Sequence, residues 1–215
     1  MPERSRGERA GLSRDRILDE ALALADTEGI GALTMRRLAA VLGVEAMTLY
    51  NYFPNKDALL DGLVERVLDA AVPRAVASAD WQQTLRTYAI GLRRALLAHP
   101  GVLPIASQRP ASTPRLLAVG EGGAAMLIAA GFDLGRALDI INIISVFAIG
   151  HAVSEHATTA VNQAGATGST AAIAGLDATA YPLLVQAART GQGTDDEHRF
   201  RFAIDALLTG FAATL

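Results

Sequence analysis

Residues 34–53, TMRRLAAVLGVEAMTLYNYF, decide the fold. Thr34 can cap a short helix from Met35 to Leu42, and Gly43 ends it. A further short helix follows from about Ala46 to Tyr52 and closes at Phe53-Pro54. Counted from Met35, Ala39 sits where two helices must approach closely, so only a small side chain fits. Gly43 takes the turn, where a residue without Cβ enters the left-handed region at little cost. Val44 and Leu49 fall where the second helix packs on the first. This is the layout of a helix-turn-helix, whose second helix lies in the major groove with its N-terminal side chains at base edges. Ala, Gly and Leu at these offsets also suit any two short packed helices, so the outer face has to discriminate.

That face is rich in contact-making side chains. Arg36 and Arg37 begin the first helix, and Met47, Thr48, Tyr50, Asn51 and Tyr52 decorate a second helix only two turns long. A helix that serves only packing has no use for Tyr, Asn and Tyr on its outside. Lys56, the sole lysine among 19 basic residues, stands at the start of the next helix with Asn55 as cap. Free backbone N–H groups, the positive end of the helix dipole and an ammonium converge there, which suits a phosphate.

Outward from this centre the chain reads as helix throughout. Before it, Ile17, Leu18, Ala21, Leu24 and Ala25 recur at helical spacing behind an N-cap at Ser13, up to Gly29 and Gly31. After it, a helix runs from Lys56 to about Val72, stopped by Pro73. Asp80 caps a helix to about His99, and 103–114 reads as a loop-rich stretch. Helices follow at about Arg115 to Ala130, from Asp133 to about Val161, at about Tyr181 to Arg189, and at about Asp195 to Ala213, with 162–178 as a flexible loop. The run LDIINIISVFAIGHAV in the 133–161 helix is apolar nearly all round, which predicts burial on most faces. No strand alternation and no solenoid repeat is present. The predicted fold is all-α: an N-terminal three-helix helix-turn-helix domain (13–72, including the linking helix 56–72), preceded by a basic arm (1–12) and followed by a larger helical domain (73–215).

Composition narrows the function. The 215 residues can bury a sizeable core, and 51% hydrophobic against 19% charged residues excludes global disorder. With no cysteine, disulfide scaffolds, Cys-ligated zinc, iron–sulfur clusters and Cys nucleophiles are excluded, and a cytoplasmic location is expected. The charged opening lacks the apolar core of a secretory signal. The greasy run Ile140 to Val153 is too short to span a bilayer, so no membrane partner is expected. Net charge is −3, so any nucleic-acid contact must use local positive charge. Arg4, Arg6, Arg9, Arg14 and Arg16 supply some of it at the N-terminus, as a solubilising tail or as a DNA-contacting arm.

The stretch GLSRDRILDEALALADTEGIGALTMRRLAAVLGVEAMTLYNYFPNKDALLDGLVERVL closely resembles the DNA-binding domain of the tetracycline-repressor (TetR) family of transcriptional regulators. The segments DWQQTLRTYAIGLRRALLAHPGVLPIASQRP and AAGFDLGRALDIINIISVFAIGHAV look, more weakly, like the ligand-binding part of the tetracycline-repressor subgroup. The resemblance implies a homodimeric one-component regulator of a palindromic operator. By position it makes Arg36 a base reader, Thr48 and Tyr50 phosphate contacts and Lys56 the phosphate-binding lysine of the fourth helix. Ala46 stands where the family's type member has a base-reading Gln, Met47 replaces Pro, and Asn51 and Tyr52 replace Trp and His. The operator should therefore differ, with Arg36 as the guanine reader through its two-pronged donors. The DNA-binding set is Arg36, Arg37, Ala46, Met47, Thr48, Tyr50, Asn51, Tyr52 and Lys56.

The resemblance also bears on the ligand. Tetracycline repressors hold their drug as a magnesium chelate, using a histidine before an Arg-Pro pair. Aligned on SQRP, that position is Ile105 here, Val72 replaces a drug-contacting His, and Tyr88 and Leu92 replace Asn and Phe. A largely apolar, lipophilic effector is expected instead, with Val72, Tyr88, Leu92, Ile105, Arg109, Phe147 and His151 as candidate lining, each equally suited to plain core packing. His151 and Glu155 share a helix face while His156 lies about 140° round from His151, so the trio does not form a metal site, and no cofactor is expected. His151–Glu155 reads as an ion pair or polar anchor, His99 as a helix C-terminal cation and His198 as exposed. The 133–161 and 195–213 helices carry more apolar surface than one neighbour covers, which suits a four-helix bundle between two copies. An enzyme would need a nucleophile–base pair or a clustered metal set, and neither is found. A DNA-binding dimer without effector, or an activator, remains open.

Overall fold

The computed structural model describes residues 12–72, 80–109 and 113–215. The basic arm as far as residue 11, the stop at Pro73 and Pro110 of the Arg-Pro pair lie outside the described residues. Among those described the chain is helix and turn only. The helices are α1 (Arg14–Glu28), α2 (Met35–Leu42), α3 (Ala46–Tyr50), α4 (Lys56–Asp69), α5 (Trp81–Ala98), α6 (Leu103–Ala106), α7 (Pro114–Ala129), α8 (Leu134–Gln163), α9 (Thr170–Ala174), α10 (Pro182–Thr190) and α11 (Asp196–Ala212). A 3-10 turn, Pro100–Val102, joins α5 to α6.

Short side-chain acceptors set the helix starts, because the first N–H groups of a helix have no partner within it. Ser13 Oγ accepts from the Arg16 N–H at 3.1 Å, Thr34 Oγ1 from that of Arg37 at 3.1 Å and Asn55 Oδ1 from that of Ala58 at 2.8 Å. Asp80 and Asp133 do the same for Gln82 and Arg136 at 2.9 and 2.8 Å. Gly43 ends α2 at φ +67°, the left-handed conformation that glycine adopts without strain.

Several expectations need correction. α3 stops at Tyr50 and α4 at Asp69, so Tyr52 and Val72 lie beyond their helices. The stretch expected to be loop-rich contains α6, and α9 interrupts the expected 162–178 loop, capped by Ser169 Oγ, which accepts from the Ala172 N–H at 3.2 Å. α8 is longer than the greasy run at its centre. It has 30 residues, and an 18-residue window within it, with mean hydropathy 1.7, would suffice to cross a membrane by length and composition. Nor is it buried on most faces. Only the stripe Ala137, Ile140, Ile144, Ala148 and Ala152 is buried, packing toward α5, α6, α7 and α11. Leu138, Ile143, Val146 and Val153 stay exposed, because one chain supplies neighbours on one side only.

The head is built around Leu38, Leu49 and Phe53, all fully buried against α1 and α4. Each such side chain is worth about 1.5–3 kcal/mol of burial. Arg14 covers this core from outside, its guanidinium 4.2 Å from the Phe53 ring centre and donating to the Tyr52 carbonyl at 3.0 Å. α4 reaches from the head to α5, α6 and α7 of the body. A second contact joins the end of α1 to the 3-10 turn. Asp26 accepts there from the Gly101 N–H at 2.9 Å and stands 2.9 Å from His99 Nδ1. His99 is thus tied to a carboxylate of α1 and is more than a helix-end cation. In the body, α11 is tied to α5 by Arg86–Asp205 at 2.8 Å.

Candidate functional site

The helix-turn-helix presents one consistent outer face. Leu49 anchors α3 inward, while Met47 is 72% and Tyr50 42% exposed and Asn51 is exposed beside them. Ala46 and Thr48 are half-buried. On α2, Arg36 is exposed, and its guanidinium has no hydrogen bond or ion pair among the described residues. A fixed fork of N–H donors left unpaired in this way is suited to the acceptor edge of a guanine. Lys56 is half-buried at the first position of α4, directly after the Asn55 cap.

Two candidates in this region have partners inside the chain. Arg37 grips Glu28 at the end of α1 with Nη2 at 2.6 Å and Nε at 3.4 Å, which holds α2 on α1. That hydrogen bond pushes the Arg37 pKa up and the Glu28 pKa down. Tyr52 is half-buried, and its hydroxyl donates to the Leu12 carbonyl at 3.0 Å. It fastens the start of α1 and does not stand on the outer face, a correction that follows from α3 having ended two residues earlier.

The candidate lining residues do not all converge. Leu92 is fully buried in the core, and Tyr88, Ile105 and Phe147 pack half-buried against it. Tyr88 Oη lies 3.4 Å from Ser145 Oγ of α8, and its burial pushes the phenol pKa up. Phe147 stacks on Phe200 of α11 at 5.5 Å, and the His151 ring meets the same Phe200 edge-on at 5.1 Å. Val72 lines a groove of about 1290 Å³ between α1, α4 and α5, in whose wall none of the other six takes part. Arg109 is turned onto α4, donating to Asp57 at 2.7 Å and to Asp61 at 2.5 Å. Its two carboxylate partners give the side chain an ionic task at the head that an apolar lining would not ask of it.

His151 faces Glu155 at 3.5 Å from Nδ1, yet that nitrogen is buried without a hydrogen bond. Burial pushes the imidazole pKa down, Glu155 works against this, and Arg93 adds to it. The spacing i, i+4 does pair the two residues, but the stronger partner of Glu155 is Arg93 of α5, whose Nε and Nη2 hold the carboxylate at 2.8 and 2.7 Å. Arg93 also donates to Glu197 of α11 and lies 5.3 Å from the Phe200 ring centre. Sequence reasoning missed Arg93, which is only 8% exposed; the one signal was an arginine on the inward stripe of α5 together with Leu92 and Leu96. A magnesium ligand at position 105 is ruled out by chemistry, since Ile105 offers only hydrocarbon.

The comparisons with known proteins agree with this geometry. Residues 17–63 match the family model described as bacterial regulatory proteins, tetR family, and residues 73–215 match that described as tetracyclin repressor-like, C-terminal domain. The class E tetracycline repressor protein of Escherichia coli is 34% identical over 209 residues, covering 96% of this chain and 93% of that protein. The crystal structure of a possible TetR family transcriptional regulator from Streptomyces coelicolor A3(2) has a TM-score of 0.78 at 32% identity, over 94% of this chain and 100% of that one. The Streptomyces coelicolor TetR family protein ActR, in complex with actinorhodin, has a TM-score of 0.77 at 30% identity, over 94% of this chain and 96% of its own.

Proposed function

This chain belongs to the tetR family of bacterial regulatory proteins, and from that premise we propose that it is a cytoplasmic repressor which binds a palindromic operator as a dimer and is released by a small, largely apolar effector. As a member of that family it is a ligand-responsive, DNA-binding transcriptional regulator. The observation that carries the reading is the outer face of the helix-turn-helix. Arg36 is unpaired there among the described residues and Met47, Tyr50 and Asn51 are exposed, on helices whose other side is locked by Leu38 and Leu49. Arg36 reads a guanine, Ala46 and Met47 make apolar contacts at base edges, Thr48, Tyr50 and Asn51 meet the sugar-phosphate backbone, and Lys56 holds a phosphate. Residues 13–72 form the reading head, 1–12 an arm along the DNA and 73–215 the effector-binding and dimerisation body. The chain acts by binding.

The apolar character of the effector is supported by the side chains between α5, α6, α8 and α11: Tyr88, Leu92, Ile105, Phe147 and His151. Two of them offer a polar atom, and His151 Nδ1 is buried with no hydrogen-bond partner among the described residues. ActR with actinorhodin is a relative whose solved complex holds a small molecule. The test is capture of fragments of the source genome on the purified protein, with Arg36→Ala in parallel. Enrichment of a short inverted repeat by the wild type, lost in the variant, is the expected result. Equal recovery of all fragments at low salt would overturn the reading.

A further inference from the structure

The first turn of α4 contains an electrostatic contradiction. Lys56 and the helix N-terminus attract a phosphate, but the next residue is Asp57, whose side chain is 79% exposed, and Asp61 follows one turn later at 40%. Two carboxylates beside a phosphate contact would repel the DNA backbone. Arg109 removes the contradiction. It comes from the body, at the end of the stretch that follows α6, and is itself only 20% exposed. One nitrogen, Nη2, donates to Asp57 at 2.7 Å, and the other, Nη1, to Asp61 at 2.5 Å and to the Asp57 carbonyl at 3.2 Å.

We propose that Arg109 is a charge mask: by bridging Asp57 and Asp61 it offsets one of their two negative charges and occupies the acceptors of both, which makes the first turn of α4 able to accept a DNA phosphate beside Lys56. The inference rests on the reading of Lys56 as a phosphate contact. It gives the body a direct electrostatic hold on DNA affinity. The Arg109 N–H donates to the Ile105 carbonyl at 3.2 Å, so the mask is tied by one backbone turn to a side chain read above as part of the effector site. An occupant that shifts Ile105 draws the guanidinium away from α4, and the uncovered carboxylates then push the phosphate off. No movement of the recognition helix is needed for this loss.

The test uses full-length protein and a fluorescent duplex of arbitrary sequence at low salt, because the effect acts on phosphates and not on bases. Arg109→Gln is expected to bind about tenfold more weakly, with a salt slope shallower by about one unit, as for the loss of one phosphate contact. Adding Asp57→Asn to that variant restores most of the affinity and the slope, since one carboxylate charge is removed and the turn returns to its wild-type net charge. A structural role for Arg109 would give no such rescue. Thermal melts of both variants show whether the head remains folded. Wild-type affinity in Arg109→Gln, or a folded double variant as weak as the single one, would overturn the mask. Lys56→Ala run alongside separates the premise from the inference: an unchanged slope there removes the phosphate contact, and the mask with it.

Discussion

Arg36 and Lys56 occupy neighbouring parts of the head but have different tasks, and single substitutions separate them. Arg36→Ala should cost about 1–3 kcal/mol of operator binding and relax the preference at one base pair in each half-site. Equal weakening on every sequence would contradict base reading. Lys56→Ala should weaken all sequences alike and shallow the salt slope by about one unit. His151 gives a pH signature. Its pKa is depressed by burial, so the unfolded chain takes up a proton more readily than the folded one. The contribution to stability is present above the ordinary value of about 6.5 and is lost as pH falls from there toward the folded-state value. Melting temperatures of His151→Gln should fall less between neutral and mildly acidic pH than those of the wild type; identical slopes would contradict a buried neutral imidazole. At this scale the caps were legible in the sequence, since Ser13, Thr34, Asn55, Asp80 and Asp133 act on N–H groups two or three residues away. The partners of Arg37, Tyr52, Arg93 and Arg109 were not. Tyr52 reaches back 40 residues, and Arg93 binds carboxylates 62 and 104 residues onward, distances over which spacing carries no information.

Among the elements, the joint between α1 and the 3-10 turn holds head and body in register. A Cβ at Gly101 would lie 2.2 Å from the Ala25 carbonyl oxygen and 2.3 Å from its carbon, so backbone would have to move. Gly101→Ala should therefore destabilise by about 3 kcal/mol. Asp26→Ala leaves the Gly101 N–H without its acceptor and should cost about 1–3 kcal/mol. Thermal denaturation measures both, and a melting temperature unchanged in Gly101→Ala would show that the two segments do not pack this closely. The long α8 shows the limit of periodicity. Its composition revealed that it needed cover on many sides, but whether that cover comes from its own chain cannot be read from composition. The stripe Ala137, Ile140, Ile144, Ala148 and Ala152 is what one chain buries.

For the whole molecule, the remaining apolar surface points to a second copy. Val146 of α8 is 60% exposed and Phe202 of α11 70%, on the two helices expected to form the bundle between copies. Val146→Arg combined with Phe202→Glu should give a single chain in sedimentation where the wild type gives two; a wild-type monomer, or a variant that still pairs, would contradict this interface. The most direct measurement of the central claim is selection of binding sites from randomised duplex DNA by the wild-type protein. Expected is an inverted repeat whose half-site centres lie about 34–36 Å apart, one helical turn, as two symmetric recognition helices require. A single unrepeated site, or no enrichment of any sequence, would contradict it.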